Sequence, residues 1–227
     1  MNAIQVKEMI TISKEKNIFL MEALWTRFNP AFCQVKKWID KGSLGSIRYI
    51  NATFSFNGLD KGEDSRLFNP IKGGGTLLDI GIYPIFLAYY LLGIPNNIKA
   101  SAHITPKGID KQLAIILTYE HAHALLYSSY THNEEMRATI AGEKGEIYMD
   151  DRWHESPNLN LVQSKVKTPK SFNFLGLGYS YEIMEASQCL REGAIESSKW
   201  THQNSLELMK IIDSVRKIAG ISYPSDI

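Results

Sequence analysis

Between Asn97 and Asp150 the hydrophobic period falls to two and stays there, and no other stretch narrows the choice of fold so far. Candidate strands follow one another at residues 98–105, 112–119, 124–131, 136–141 and 145–150. Strict alternation sends every second side chain to one face. Turn residues separate the runs at 106–108, 120–123 and 142–145, so the strands read as an antiparallel meander. An earlier run, 46–57, alternates as well. It sets Ile47, Tyr49, Asn51, Thr53 and Ser55 on one face and Arg48, Ile50, Ala52, Phe54 and Phe56 on the other. Residues 159–174 add one or two edge strands.

The helices fall around this block. Residues 3–16 place Ile4, Met9, Ile10 and Ile12 among charges, with Asn17 as the stop. Residues 18–23 form a short apolar run that reads as a buried strand. A helix leading into a buried strand is the end of an α/β unit, yet no strand–Gly-x-Gly-x-x-Gly–helix occurs in the sequence. Residues 30–41, 181–191 and 203–218 are further helices, with Gly42, Gly193 and Gly220 beyond their ends. The expected class is α/β (α+β): a predominantly antiparallel, open-faced sheet with helices packed on one face, preceded by a helix–strand remnant. A sheet open on its other face commonly meets a second copy, so a homodimer through that face is expected.

Bulk properties remove several function classes. With a net charge of +1 there is no basic excess for nucleic acid and no charge block for a membrane surface. The apolar run 80–92 is broken by Pro84 and preceded by Asp79, too short and polar-headed for a membrane span. No signal-peptide pattern opens the chain. Two cysteines, Cys33 and Cys189, make neither a metal spacing nor a disulfide framework, so a cytoplasmic location is the default. His121 and His123 would share a face on a strand, but they fall in a turn with no third ligand, and no metal is expected.

The chemistry concentrates in residues 72–83, Lys-Gly-Gly-Gly-Thr-Leu-Leu-Asp-Ile-Gly-Ile-Tyr. Asp79 and Tyr83 are four residues apart, which on a helix puts them on one face. Gly73 to Gly75 let the backbone approach something closely or take positive φ. A carboxylate and a phenol beside bare backbone suit a substrate hydroxyl. A loose turn before a helix whose Asp bonds to nearby backbone is the competing reading.

Four stretches carry a family likeness: residues 19–30 (FLMEALWTRFNP), 42–47 (GSLGSI), 73–83 (GGGTLLDIGIY), and Tyr181-Glu182 with 189–197 (CLREGAIES). In this order they resemble the glucose–fructose oxidoreductase/inositol dehydrogenase (Gfo/Idh/MocA) family, in its dihydrodiol-dehydrogenase-like branch. The resemblance implies an NAD(P)-dependent oxidoreductase that moves a hydride between the cofactor and a small sugar, polyol or diol. By it, residues 1–28 are the end of a dinucleotide-binding Rossmann domain, and 29–227 are the substrate and dimerisation domain. The Rossmann core and the Glu-Lys-Pro segment with the family's catalytic lysine are absent from this sequence. NAD or NADP is therefore expected for the parent enzyme, with weak or no binding by this chain alone. A catalytically inactive substrate-domain or dimerisation module is the alternative.

The resemblance also assigns residues. Asp79 and Tyr83 are the catalytic pair, the phenol shuttling a proton and the carboxylate orienting the substrate hydroxyl. Free tyrosine titrates near 10, so Tyr83 needs a nearby cation to act as a base. Apart from the resemblance, Trp25, Arg27 and Phe28 follow the short apolar run, at the strand end where α/β folds place ligands; with Phe56, whose bulk limits substrate size, Trp25 and Phe28 are the substrate-side residues, although Trp25 could equally be interdomain core. Arg27, Arg66 and Tyr181 are the cofactor-side residues, with a solvated loop arginine the alternative for Arg66 and helix packing for Tyr181.

Overall fold

The computed structural model describes residues 2–62 and 64–226. Helix α1 (Ala3–Lys16) begins where the Asn2 side chain accepts from the Gln5 N–H, and ends at Asn17 in the left-handed conformation. A short 3-10 turn, Trp25–Phe28, leads to α2 (Pro30–Asp40), with Asn29 as cap and proline in the first position. Strand β1 (Ile47–Ser55) follows. Three 3-10 turns then precede a π-helix, Leu77–Gly81, that runs directly into α3 (Ile82–Leu92). The rest of the sheet is β2 (Asn97–Ile104), β3 (Asp110–Thr118), β4 (His123–Ser129), β5 (Ala138–Gly142), β6 (Glu146–Met149), β7 (Asn158–Gln163) and β8 (Val166–Ser171). Helices α4 (Ser180–Arg191) and α5 (His202–Ala219) close the chain; a Thr201–Asn204 capping box opens α5, and Gly220 ends it.

All eight strands join one sheet in the order β2-β3-β4-β1-β5-β6-β7-β8. The expected meander holds from β2 to β4 and from β5 to β8. It is interrupted between β4 and β5, where β1 inserts, parallel to β4 and antiparallel to β5. The physical reason lies in β1 itself. Ile50 and Ala52 are fully buried, and a strand buried in mid-sheet needs ladder partners along both edges. The parallel register pairs Phe54 with Ser128 and Ser55 with Ser129, so both strands end at the same edge of the sheet.

Helices cover one face. Ile50, Ala52 and Phe54 share a core with Ile85, Phe86, Leu87 and Ala88 of α3 and with Leu208, Ile211, Ile212 and Val215 of α5. Pro70–Leu92 is long and apolar enough to cross a membrane by composition, but 61% of that apolar window is buried inside the fold. The other face is bare: a hollow of about 340 Å³ is lined by Asn51, Lys99, Ile116, Leu125 and Tyr127.

Two local expectations are corrected. Residues 18–23 do not form a strand. Ile18 is exposed, while Leu20 donates its N–H to the Ile195 carbonyl and accepts from His202 Nε2, each at 3.0 Å. A parallel strand needs neighbours on its edges, and the described residues offer none there, so the segment runs extended over the start of α5. Helix α1 does not pack by its predicted stripe: Ile4, Met9 and Ile12 are exposed, and Ile10 and Ser13 are the residues it buries.

Candidate active site at the head of the core helix

The glycine run is explained by the chain's own crowding. A Cβ on Gly74 would fall 2.7 Å from the carbonyl oxygens of Arg66 and Leu67, and one on Gly75 would fall 2.2 Å from Asp110 Oδ1. Gly75 also sits at φ 109°, a conformation that side chains resist. The N–H groups of Gly73, Gly74, Gly75 and Leu77 are taken by Pro70, Asn69, Leu67 and Asp110 respectively. The loop therefore has none of these donors left for a phosphate and is not a dinucleotide cradle. Its π-turn adds a residue to one turn of helix, a distortion often found at functional sites, and Asp79 lies at its centre.

Asp79 and Tyr83 stand at the head of α3, both half-buried. Arg66 Nη2 reaches Asp79 Oδ1 at 2.5 Å from an exposed position. On the other side the Tyr130 hydroxyl donates to Asp79 Oδ2 at 2.7 Å, with the Gly75 carbonyl 3.1 Å away. Burial, then the Asp79 charge, holds the Tyr130 phenol far above its usual range. Tyr83 Oη accepts a hydrogen bond from Trp25 Nε1 at 3.0 Å. Burial raises the Tyr83 phenol, the Trp25 bond opposes that, and Tyr179, Asp79 and Glu182 raise it further.

Aromatic rings wall the phenol. Tyr83 lies 5.5 Å from Phe54 and 5.6 Å from His154, between ring centroids. His154 stacks on Phe54 at 4.1 Å and meets Trp25 edge-on at 6.0 Å. It is buried, and its imidazole is pushed down to about 3, so it is neutral at ordinary pH. Tyr179 stacks on the far side of Trp25 at 4.6 Å, and Gly178 passes so close that a Cβ would sit 2.7 Å from the indole.

Of the residues singled out in the sequence, Asp79, Tyr83, Trp25 and Arg66 are brought together, and Phe56 joins through its 5.2 Å ring contact with Tyr130. The other three are placed elsewhere. Arg27 lies over the Tyr90 ring at 4.6 Å and donates to the Lys199 carbonyl. Phe28 is core and, with Tyr181, lines a separate groove of about 550 Å³. The Tyr181 hydroxyl staples its own loop, accepting from the Leu175 N–H and donating to the Asn173 carbonyl. Among the described residues, no three His, Cys, Asp or Glu side chains gather as a metal would need.

Tyr130, His154, Tyr179, Glu182 and Asp110 were missed from sequence. One signal was available for Tyr130: it directly follows a strand, where α/β folds place functional side chains. Using it required knowing that β1 and β4 run parallel.

An open mixed sheet backed by helices thus carries a phenol and a carboxylate at the head of its core helix. Residues 32–148 match the family profile described as the GFO/IDH/MocA C-terminal domain. The chain is 33% identical over 235 residues to the trans-1,2-dihydrobenzene-1,2-diol dehydrogenase of Xenopus tropicalis, spanning 99% of itself and 70% of that protein. It is 30% identical over 239 residues to scyllo-inositol 2-dehydrogenase (NADP(+)) IolU of Bacillus subtilis, with coverages of 99% and 70%. The chain belongs to the Gfo/Idh/MocA family of oxidoreductases. Solved structures agree on the fold. KijD10, a 3-ketoreductase from Actinomadura kijaniata in complex with NADP and TDP-benzene, superposes with a TM-score of 0.84 at 23% identity, over 96% of this chain and 68% of that one. Levoglucosan dehydrogenase in complex with NADH and levoglucosan also scores 0.84, at 19% identity, with coverages of 96% and 69%.

Proposed function

We propose that this chain forms the substrate half of an NAD(P)-dependent dehydrogenase site for a small sugar, polyol or diol. The observation that carries this reading is the pairing of Tyr83 and Asp79, both part-exposed and each held by a second side chain. A substrate hydroxyl between them can donate its one proton to the Asp79 carboxylate while its oxygen accepts from the Tyr83 phenol, and in the reducing direction that phenol can give its proton to a carbonyl oxygen. Trp25 and Phe54 wall the apolar side of that space, and Phe56 stands behind Tyr130. NAD(P), when bound, would supply the hydride acceptor or donor, and the glycine loop, with the N–H groups of Gly73, Gly74, Gly75 and Leu77 taken, does not fit its pyrophosphate. Relatives named for a dihydrobenzenediol and for scyllo-inositol support a vicinal diol or cyclic polyol as substrate.

One observation favours the second reading, a substrate and dimerisation module that does not turn over unaided. Burial, with Tyr179, Asp79 and Glu182 behind it, holds the Tyr83 phenol above its ordinary range against the Trp25 bond. A tyrosine in that setting stays protonated at neutral pH. The bare outer face of β1, β3 and β4, with Ile116 and Leu125 exposed, supports a homodimer, and the cytoplasm remains the proposed location.

The deciding experiment uses the purified 227-residue chain. It is titrated with NADPH and NADH and assayed with NAD+ or NADP+ against scyllo-inositol and trans-dihydrobenzenediol. Turnover that vanishes in Tyr83→Phe establishes the first reading for this chain. Absence of both turnover and cofactor binding establishes the second. Tight cofactor binding overturns the expectation that the chain alone binds it weakly.

A further inference from the structure

Asp110 is a carboxylate with no exposed surface. Its Oδ2 accepts from the Thr76 hydroxyl at 2.6 Å and from the Leu77 N–H at 2.8 Å. Thr76 immediately precedes the π-helix and Leu77 opens it. The first residue of β3 therefore caps, from outside, the helical segment that carries Asp79 two residues later. Ser128 Oγ, from β4, donates to Thr76 Oγ1 at 3.2 Å and steadies the cap.

The fit leaves no slack. Asp110 Oδ1 lies where a Gly75 side chain would begin. From the adjoining end of β4, the Tyr130 hydroxyl touches both the Gly75 carbonyl and Asp79 Oδ2. Residues 75–79 are thus held by side chains from the start of β3 and from just beyond the end of β4. A buried carboxylate is costly to keep, and Oδ1 has no hydrogen-bond partner among the described residues. What the carboxylate secures is the rotation of a turn whose next polar side chain is Asp79.

We infer that Asp110 is a positioning residue for the candidate site: it sets the register of the π-turn and so aims Asp79 at Tyr130. Resting on the Asp79–Tyr83 reading above, this makes Asp110 a determinant of where the substrate hydroxyl is held, although it touches no substrate itself.

The test measures whether Asp79 and Tyr130 remain coupled when Asp110 is changed. Urea denaturation of the 227-residue chain is followed for the native protein, Tyr130→Phe, Asp79→Asn and the double variant. The cycle is then repeated in Asp110→Ala and Asp110→Asn backgrounds. In the native background the coupling should be roughly tenfold in the unfolding equilibrium, as for a hydrogen bond to a charged acceptor. It should fall below about twofold in Asp110→Ala and return in Asp110→Asn, which keeps an oxygen acceptor. An unchanged coupling in Asp110→Ala, or none in the native background, overturns the inference. If Asp110→Ala does not fold, Thr76→Val removes one of the two donors that Asp110 holds, and the same outcomes decide. Failure of the site reading is seen separately, as turnover that survives Tyr83→Phe.

Discussion

The Trp25 indole donates its N–H to the Tyr83 phenol oxygen at 3.0 Å across 58 residues of sequence. The bond fixes which way the phenol points. It is also the influence that opposes burial and the neighbouring acidic groups, which push the Tyr83 phenol upward. Trp25→Phe should therefore raise the Tyr83 phenol further from its ordinary range. NMR titration of ring-labelled tyrosine, with Tyr83→Phe for assignment, checks this; a downward move would contradict the account.

Tyr83→Phe keeps the ring against Phe54 and His154 and removes only the hydroxyl. Stability should change by about 1 kcal/mol, the cost of leaving the Trp25 N–H without its acceptor. The proposed hydride transfer should fall by roughly 10²- to 10⁴-fold, the range for losing a positioned proton donor. Parallel thermal melts and steady-state rates separate the two effects.

Arg66 and Asp79 should part company in the same kind of measurement. The Arg66 side chain is 56% exposed and that of Asp79 18%. Arg66→Gln should cost less than about 1 kcal/mol, as exposed ion pairs do. Asp79→Ala should cost more, about 1–3 kcal/mol, because the buried Tyr130 hydroxyl loses its charged acceptor and keeps only the Gly75 carbonyl. Equal costs in urea denaturation would show that Tyr130 does not depend on Asp79.

Gly75→Ala should be among the most damaging single substitutions in the chain. The new Cβ would stand 2.2 Å from Asp110 Oδ1 on a backbone at φ 109°. Steric conflict and an unfavourable backbone together predict a loss above about 3 kcal/mol. Gly42, also at positive φ but with nothing within 4 Å, is the control, with a smaller loss expected in urea denaturation.

Asp110 is one group through which acid should stabilise this protein. Burial pushes the Asp110 carboxyl from an ordinary 3.8 up to about 6. The folded chain then binds that proton more readily than the unfolded chain. The contribution is full below pH 4 and is lost as pH rises through 6. The groups facing Asp110 are Tyr130 and Tyr223, with Arg216 stacked on Tyr223 and Asp226 beyond; none is raised into that window. Stability measured from pH 4 to 7 should fall more steeply in the native protein than in Asp110→Asn.

Much of the scaffold was legible because alternation and capping are local. The ends of α2 and α5 and all the sheet strands after β1 lie close to the boundaries that periodicity marks. Asp79 and Tyr83 stand out through their four-residue spacing, whereas the π-turn at Leu77–Gly81 that carries Asp79 leaves no mark in that spacing. The place of β1 between β4 and β5 was not, because strand order depends on which edges must be covered rather than on any pattern within a strand. For the same reason Tyr130, His154 and Asp110 stayed hidden: each reaches the site from a distant part of the chain, and its role exists only once the sheet is assembled. Residues 18–23 misled in the opposite direction, since an apolar run becomes a strand only where a ladder is available.

The parallel pairing of β1 with β4 carries a kinetic consequence. The two strands are separated by roughly seventy residues, so a long loop must close before the middle of the sheet can form. The hairpins β2–β3–β4 and β5–β6–β7–β8 can zip early from local contacts, leaving a gap that only β1 fills. Folding should then be limited by capture of that strand, with two preformed half-sheets waiting on either side of it.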